Sequence, residues 1–78
     1  MGLFDSPKVF TTHEQIKEAL FKINSLDYKE REIVYQALLD KLSQGGVSQE
    51  EYRNIIRKLR EEKLISEIDK ENLFGLIE

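Results

Sequence analysis

The sequence predicts an all-α fold, in which four short helices form one compact bundle behind an extended N-terminal arm. Apolar residues recur at helical spacing in four segments, and each segment follows a residue that commonly caps helices. Glycine and proline fall mainly between or outside these segments. With 78 residues the chain is the size of one small domain. We expect an arm over residues 1–10 and a single helical domain over residues 11–78.

The first helix is predicted over about residues 12–24. The preceding stretch MGLFDSPKVF has no helical period and contains the one proline of the chain, which indicates extended structure. One face of the first helix then carries apolar side chains, namely Ile16, Ala19, Leu20 and Ile23. Either Thr11 with Glu14 or Thr12 with Gln15 is suitable for a capping box at its start.

The second helix is predicted over about residues 28–44 and is expected to be central. Asp27 and Glu30 provide the start signal, three residues apart. The apolar stripe that follows consists of Ile33, Val34, Ala37, Leu38 and Leu42, widened by Tyr35 and Leu39.

The segment SQGGVSQEEY predicts a sharp turn between two helices. Either Gly45 or Gly46 is expected to adopt the positive φ that ends the second helix. Ser48 with Glu51 then forms a capping box, and Val47 with Tyr52 a hydrophobic staple. The third helix is expected over about residues 48–63.

The fourth helix is predicted over about residues 67–77. Ser66 is its expected cap, with Asp69 at the third helical position. Its apolar face is expected to comprise Ile68, Leu73, Leu76 and Ile77.

The stretch LLDKLSQGGVSQEEYRNIIRKL, residues 38–59, resembles the SHOCT module, a short helical hairpin often found at the C-termini of larger prokaryotic proteins. The residues at matching places are Gly46, Val47, Ser48, Glu51, Tyr52 and Leu59. The resemblance covers less than a third of the chain. It implies an interaction or assembly element and not an enzyme.

The amino-acid composition argues against long-range binding to nucleic acid or to membranes. Twelve basic and fifteen acidic side chains give a net charge of −3, with both signs interspersed, so long-range attraction to nucleic acid or anionic lipid is not expected. Cysteine is absent, which fits a cytoplasmic location.

Neither a signal peptide nor a membrane span is predicted. MGLFDS matches a myristoylation pattern, but one acyl chain anchors weakly, so we do not predict a lipid anchor at Gly2.

The sequence does not predict a catalytic site or a metal-binding site. His13 is the only histidine, so neither a His-based dyad nor a multi-histidine metal site is expected. Residues 67–78 place carboxylates at several positions of a calcium-binding loop, but Asn72 stands where that loop needs glycine. We therefore predict no enzyme activity, cofactor or metal.

The predicted function is a small protein-interaction or self-association module. A core of this size cannot easily enclose every apolar side chain, and the surplus is expected near the first and second helices. The candidate contact residues are Phe4, Phe10, Phe21, Tyr35, Leu39 and Phe74. A competing interpretation is that the N-terminal arm covers this patch and the chain is monomeric.

The alternative function is a small DNA-binding regulator that uses one face of the third helix. Spacings of four and three align basic side chains along that helix, namely Arg53, Arg57 and Arg60, with Lys58 adjoining. Acidic residues border this face and the chain is acidic overall, whereas DNA-binding domains usually carry a basic excess. Nucleic acid is therefore ranked second to a protein partner.

Overall fold

The structure, a computed structural model, describes residues 8–77. In chain order the elements are β1 (Lys8–Phe10), α1 (His13–Phe21), α2 (Tyr28–Leu42), β2 (Val47–Ser48), α3 (Gln49–Glu61) and α4 (Glu67–Gly75). The predicted all-α architecture of four helices is confirmed, and each helix lies where the apolar period placed it. The short two-stranded sheet formed by β1 and β2 is a minor addition that the sequence did not predict.

Every helix begins with a capping box. In each box the cap side chain accepts a hydrogen bond from the third helical amide, and the third side chain accepts one from the cap amide. The pairs are Thr12 with Gln15, Asp27 with Glu30, Ser48 with Glu51, and Ser66 with Asp69. The open choice at the first helix is thus resolved in favour of Thr12.

Each helix ends earlier than predicted. The last residues are Phe21, Leu42, Glu61 and Gly75, where the sequence predicted about 24, 44, 63 and 77. At the end of α1 the chain tightens, because the amides of Lys22 and Ile23 bond to carbonyls three residues back. Leu76 and Ile77 make the same kind of bond after α4. These turns satisfy terminal carbonyls without lengthening the α-helix.

The end of α3 is a Schellman motif built on a lysine. Lys63 has φ 61°, in the left-handed region that favours glycine. Its amide donates to the Arg60 carbonyl and the Leu64 amide donates to the Leu59 carbonyl, both at 3.0 Å. The reversal of the chain before α4 therefore depends on a backbone conformation that is unfavourable for lysine.

Both glycines of the turn between α2 and α3 have positive φ, 115° at Gly45 and 109° at Gly46. A Cβ atom at Gly45 would meet nothing within 4 Å, whereas one at Gly46 would lie 3.2 Å from the Phe10 carbonyl oxygen. Gly45 is needed only for its backbone angle. Gly46 is also needed because β1 approaches it closely.

The sheet attaches the N-terminal segment to this turn. β1 pairs antiparallel with β2, with Lys8 opposite Ser48 and Phe10 opposite Val47, and with an irregularity between the two pairs. Phe10 is buried, and its ring centroid lies 5.7 Å from that of Tyr52 in a tilted arrangement. Phe10 is therefore part of the core and Val9 packs against it, while residues 1–7 of the predicted arm lie outside the described residues.

The core collects apolar side chains from every helix and from both strands. Its buried members are Phe10, Ile16, Leu20, Ile23, Leu26, Val34, Leu38, Val47, Tyr52, Ile56, Leu59, Ile65 and Leu73. The expected inward position of Ile68 is wrong, since this side chain is 63% exposed. Leu73 is buried as predicted, and Leu76 and Ile77 are half-buried against the core. The other inward positions are Ile65 and Asp69, so that residues 65, 69 and 73 recur every four positions and the capping carboxylate of Asp69 occupies an apolar position.

Polar groups fix the start of α4 and connect this helix to the rest of the bundle. The Tyr52 hydroxyl donates to the Leu73 carbonyl at 2.6 Å, and burial raises the pKa of this hydroxyl. Asp69 is 1% exposed, and its Oδ2 accepts from the Ser66 amide at 3.0 Å. Asn72 reaches the loop between α1 and α2 by donating to the Ser25 hydroxyl at 3.0 Å. Helix α4 is therefore held by directional bonds as well as by apolar contacts.

Candidate protein-binding groove

A shallow groove of about 210 Å³ runs between α1 and α2 and has a mainly apolar surface. We call it the aromatic groove. Its lining residues are Lys17, Leu20, Phe21, Tyr28, Arg31, Glu32 and Tyr35. Phe21 is 77% exposed and Tyr28 is 85% exposed, so two large aromatic side chains of the groove lining are exposed to solvent.

Helical spacing explains why these residues share one surface. On α2, Tyr28 and Tyr35 are seven residues apart, which places them on the same side of the helix two turns apart. On α1, Lys17 and Phe21 are four residues apart and also share a side. Because α1 packs directly against α2, the two sides meet along the line between the helices.

Arg31 lines the aromatic groove and is held against the end of α1 by hydrogen bonds. Its Nε donates to the Leu20 carbonyl at 3.4 Å, and its Nη2 donates to the carbonyls of Ile23 and Leu26 at 3.3 and 3.0 Å. These carbonyls lie at and just beyond the end of α1, near the negative end of the helix dipole. The carbonyls of Leu20 and Ile23 each also accept one backbone amide, so Arg31 occupies their remaining acceptor capacity. The guanidinium carbon also lies 5.8 Å from the Phe21 ring centroid. One side chain thus bonds to the carbonyls that follow α1 and lies beside the Phe21 ring.

Two cationic groups and one carboxylate line the aromatic groove. Lys17 is exposed on α1, and Arg31 keeps its Nη1 without a hydrogen-bond partner among residues 8–77. The carboxylate belongs to Glu32, whose Oε2 accepts a hydrogen bond from Gln36 at 2.8 Å. The charge of the lining is therefore weakly positive in a chain whose net charge is −3.

The size of the aromatic groove suits a side chain better than a cofactor. Pockets for drug-sized ligands span roughly 300–1,000 Å³ and enclose most of the ligand. This groove is smaller and open, and its only ionisable side chains besides the tyrosines are Lys17, Arg31 and Glu32. Within residues 8–77, no three potential metal-binding side chains of His, Cys, Asp or Glu type cluster together. The arrangement can hold an apolar side chain and pair with a neighbouring charge.

The structure brings together two of the predicted contact residues. Phe21 and Tyr35 both line the aromatic groove. Leu39 and Phe74 are half-buried and pack against the core, while Phe10 is buried within it because its strand pairs with β2. Phe4 lies outside the described residues.

Sequence reasoning missed Tyr28, the most exposed of the large apolar side chains described. The capping box of Asp27 and Glu30 makes Tyr28 the first residue of α2, and Tyr35 follows seven residues later. The seven-residue spacing could have predicted from sequence that Tyr28 and Tyr35 share one side of α2.

The basic face of α3 is partly engaged by α4. The Arg57 guanidinium lies 5.9 Å from the Phe74 ring centroid, and Arg60 Nε lies 3.2 Å from Glu67 Oε1. Arg53 is half-buried, whereas Lys58 is exposed and lines a second depression of about 300 Å³ between α2 and α3. Acidic side chains line that depression as well, namely Asp40 and Glu62. The four basic residues do not form one uninterrupted positive surface.

No family model, curated protein or solved structure matches the chain. The resemblance of residues 38–59 to the SHOCT hairpin therefore stays a prediction. Among residues 8–77, none of the helices has the length and apolar character needed to cross a membrane.

Proposed function

We propose that this chain is a small, non-enzymatic protein-interaction module that binds its partner through the aromatic groove. The observation that carries the proposal is the pair of exposed aromatic side chains, Phe21 and Tyr28, beside a concave apolar surface. Apolar surface grouped in this way on a small domain commonly marks a protein contact. The absence of cysteine fits a module that works in the cytoplasm.

The residue types in the aromatic groove support the same function. Tyrosine and arginine are enriched among the residues that dominate binding energy at protein interfaces, and the groove contains Tyr28, Tyr35 and Arg31. Arg31 is already held by three backbone carbonyls, so little side-chain freedom is left for it to lose on binding. A preorganised wall of this kind favours tight contact over a small area.

Charge reversal at position 21 tests the proposal. Phe21→Glu replaces the exposed aromatic side chain in the groove, and Ile68→Glu makes a comparable change at an exposed apolar position on α4. Both variants are expected to remain folded by circular dichroism because both positions are mostly exposed. Partner capture from the native cell and sedimentation equilibrium should show loss of a specific complex for Phe21→Glu alone. Identical complexes for the wild type and both variants would rule out the aromatic groove as the binding surface.

A DNA-binding regulator remains the alternative function, with Arg53, Arg57, Lys58 and Arg60 as its contact residues. It ranks second because Arg57 and Arg60 already contact side chains of α4. Binding to duplex DNA that weakens steeply with salt, and that is lost in Arg57→Glu, would reverse this ranking.

A further inference from the structure

We propose that the aromatic groove binds a short acidic peptide segment, which inserts an apolar side chain and places a carboxylate against Lys17 and Arg31. This inference rests on the proposed function and specifies the chemistry of the partner. It follows from the small size of the groove and from the charges of its lining residues.

The aromatic groove is small enough to suit a peptide segment better than a folded partner. A standard stable interface between folded proteins uses about 20–30 residues on each side. The groove is lined by seven residues, and its volume of about 210 Å³ is of the size needed for an inserted apolar side chain. A second copy of this chain docking only here would bury too little surface for a stable dimer. A short segment needs only one anchor and its flanking groups.

The charges of the lining select an acidic segment. Arg31 is held in place by carbonyls of the α1 end, and its Nη1 has no bond to any residue in the described part of the chain. Lys17 is exposed on the opposite wall. Glu32 is the one carboxylate of the lining, and it already accepts a hydrogen bond from Gln36. A carboxylate beside the anchor would therefore meet two cations, whereas a basic group would meet two like charges.

The aromatic rings define where the anchor lies. Phe21 projects from the end of α1, and Tyr28 and Tyr35 project from one side of α2. An aromatic or branched aliphatic side chain between them would be in contact with rings from both helices. Because Arg31 lies beside Phe21, a carboxylate next to the anchor is within reach of its guanidinium. Apolar insertion and charge pairing are thus adjacent.

The test uses three capped hexapeptides that share a central Phe-Leu pair and differ only in four flanking residues, which are Glu, Gln or Lys. Each is titrated into the full chain labelled with ¹⁵N, at low salt, and amide resonances are followed by NMR. We expect the Glu peptide to shift the resonances of Phe21, Tyr28 and Tyr35. We expect it to bind about fivefold more tightly than the Lys peptide, as an exposed ion pair allows. Raising the salt concentration should reduce this preference.

Two charge-reversal variants separate the groove from the net charge of the chain. Lys17→Glu should abolish the preference for the Glu peptide, because it removes a cation from the lining. Lys29→Glu changes the net charge equally at an exposed α2 position outside the lining, and it should leave the preference unchanged.

Each other outcome overturns the inference in a distinguishable way. Equal binding of all three peptides at these resonances would refute the acidic preference and leave the proposed function standing. Absence of binding by any peptide at millimolar concentration would refute the peptide inference, whereas the proposed function is decided separately by the complexes of Phe21→Glu and Ile68→Glu. Shifts of the same resonances with protein concentration alone would identify a second copy as the occupant, which contradicts the peptide proposal.

Discussion

At the scale of single residues, Tyr52 shows how one hydroxyl group links two helices through the core. Its ring is fully buried beside Phe10, and its hydroxyl donates to the Leu73 carbonyl of α4. The sequence predicted Tyr52 as the staple partner of Val47 and as an apolar residue of the third helix, but it did not predict the hydrogen bond of the hydroxyl. Its hydrogen bond depends on the position of α4, which the local apolar pattern does not specify.

Tyr52→Phe should lower the free energy of unfolding by about 1 kcal/mol, because one buried hydrogen bond is lost while the ring is kept. Tyr28→Phe is the matched control, since that side chain is 85% exposed. Urea denaturation of the two variants measures the difference. Equal stability of the two variants would show that the hydroxyl of Tyr52 contributes nothing.

Lys63 is a second residue whose importance lies in its backbone. Lys63→Gly should stabilise the chain by about 0.5–1 kcal/mol, because glycine adopts the left-handed conformation without the steric cost that lysine bears. Lys63→Ala removes the same charge but keeps Cβ, so it should give no such gain. Thermal unfolding of both variants separates the backbone effect from the charge effect, and equal melting temperatures would contradict it.

At the scale of elements, the turn between α2 and α3 combines two glycines with different functions. Gly45 supplies a backbone angle in open space, and Gly46 supplies an angle and room for the Phe10 carbonyl. Ser48 then caps α3, and its amide bonds to Glu51, which lowers the pKa of that carboxyl. The turn therefore joins α2, the sheet and α3.

Substitution of the two glycines should distinguish these functions. Gly45→Ala should cost about 1 kcal/mol for backbone strain alone. Gly46→Ala should cost more, because its Cβ would press against the Phe10 carbonyl as well. Urea denaturation of the pair isolates the close approach of β1. A larger loss for Gly45→Ala would mean that this approach is absent in solution.

The helix starts were predictable from sequence, whereas the helix ends were not. A capping box has a local sequence pattern, in which a capping residue is followed three positions later by an acidic residue or glutamine, so the boxes beginning at Asp27, Ser48 and Ser66 could be recognised from sequence. The end of α3 uses Lys63, which carries no glycine signal. The aromatic groove was predicted only in part, since Phe21 and Tyr35 were identified but their pairing depends on how α1 packs against α2.

At the scale of the whole molecule, a buried carboxylate makes stability depend on pH. Burial raises the pKa of Asp69, but the nearby Ser25 hydroxyl and the hydrogen bonds with Ser66 lower it by more, so that this pKa lies below its ordinary value. The Ser66 amide donates directly to Oδ2, whereas Oδ1 has no direct hydrogen-bond partner among the described residues. A carboxyl with a lowered folded-state pKa stabilises the fold above its unfolded pKa, and this contribution is lost as pH falls towards the folded value.

Acid should therefore destabilise the wild type more than Asp69→Asn. The asparagine keeps an acceptor for the Ser66 amide but does not titrate, so the variant should be less stable at pH 7 and closer to the wild type at pH 3. Asp40→Asn, at an exposed position, is the matched control. Urea denaturation at the two pH values measures the effect. An unchanged difference between wild type and Asp69→Asn would show that Asp69 does not contribute to acid sensitivity.

The central claim about the whole molecule is that one surface, the aromatic groove, contacts the partner. Site-specific photo-crosslinking in the native cell tests it most directly, with benzoylphenylalanine placed at position 21 in one variant and at position 68 in another. Both positions are exposed and apolar, but only Phe21 lines the groove. The account predicts a discrete crosslinked product from position 21 and none from position 68. The same product from both positions, or a product from position 68 alone, would contradict it.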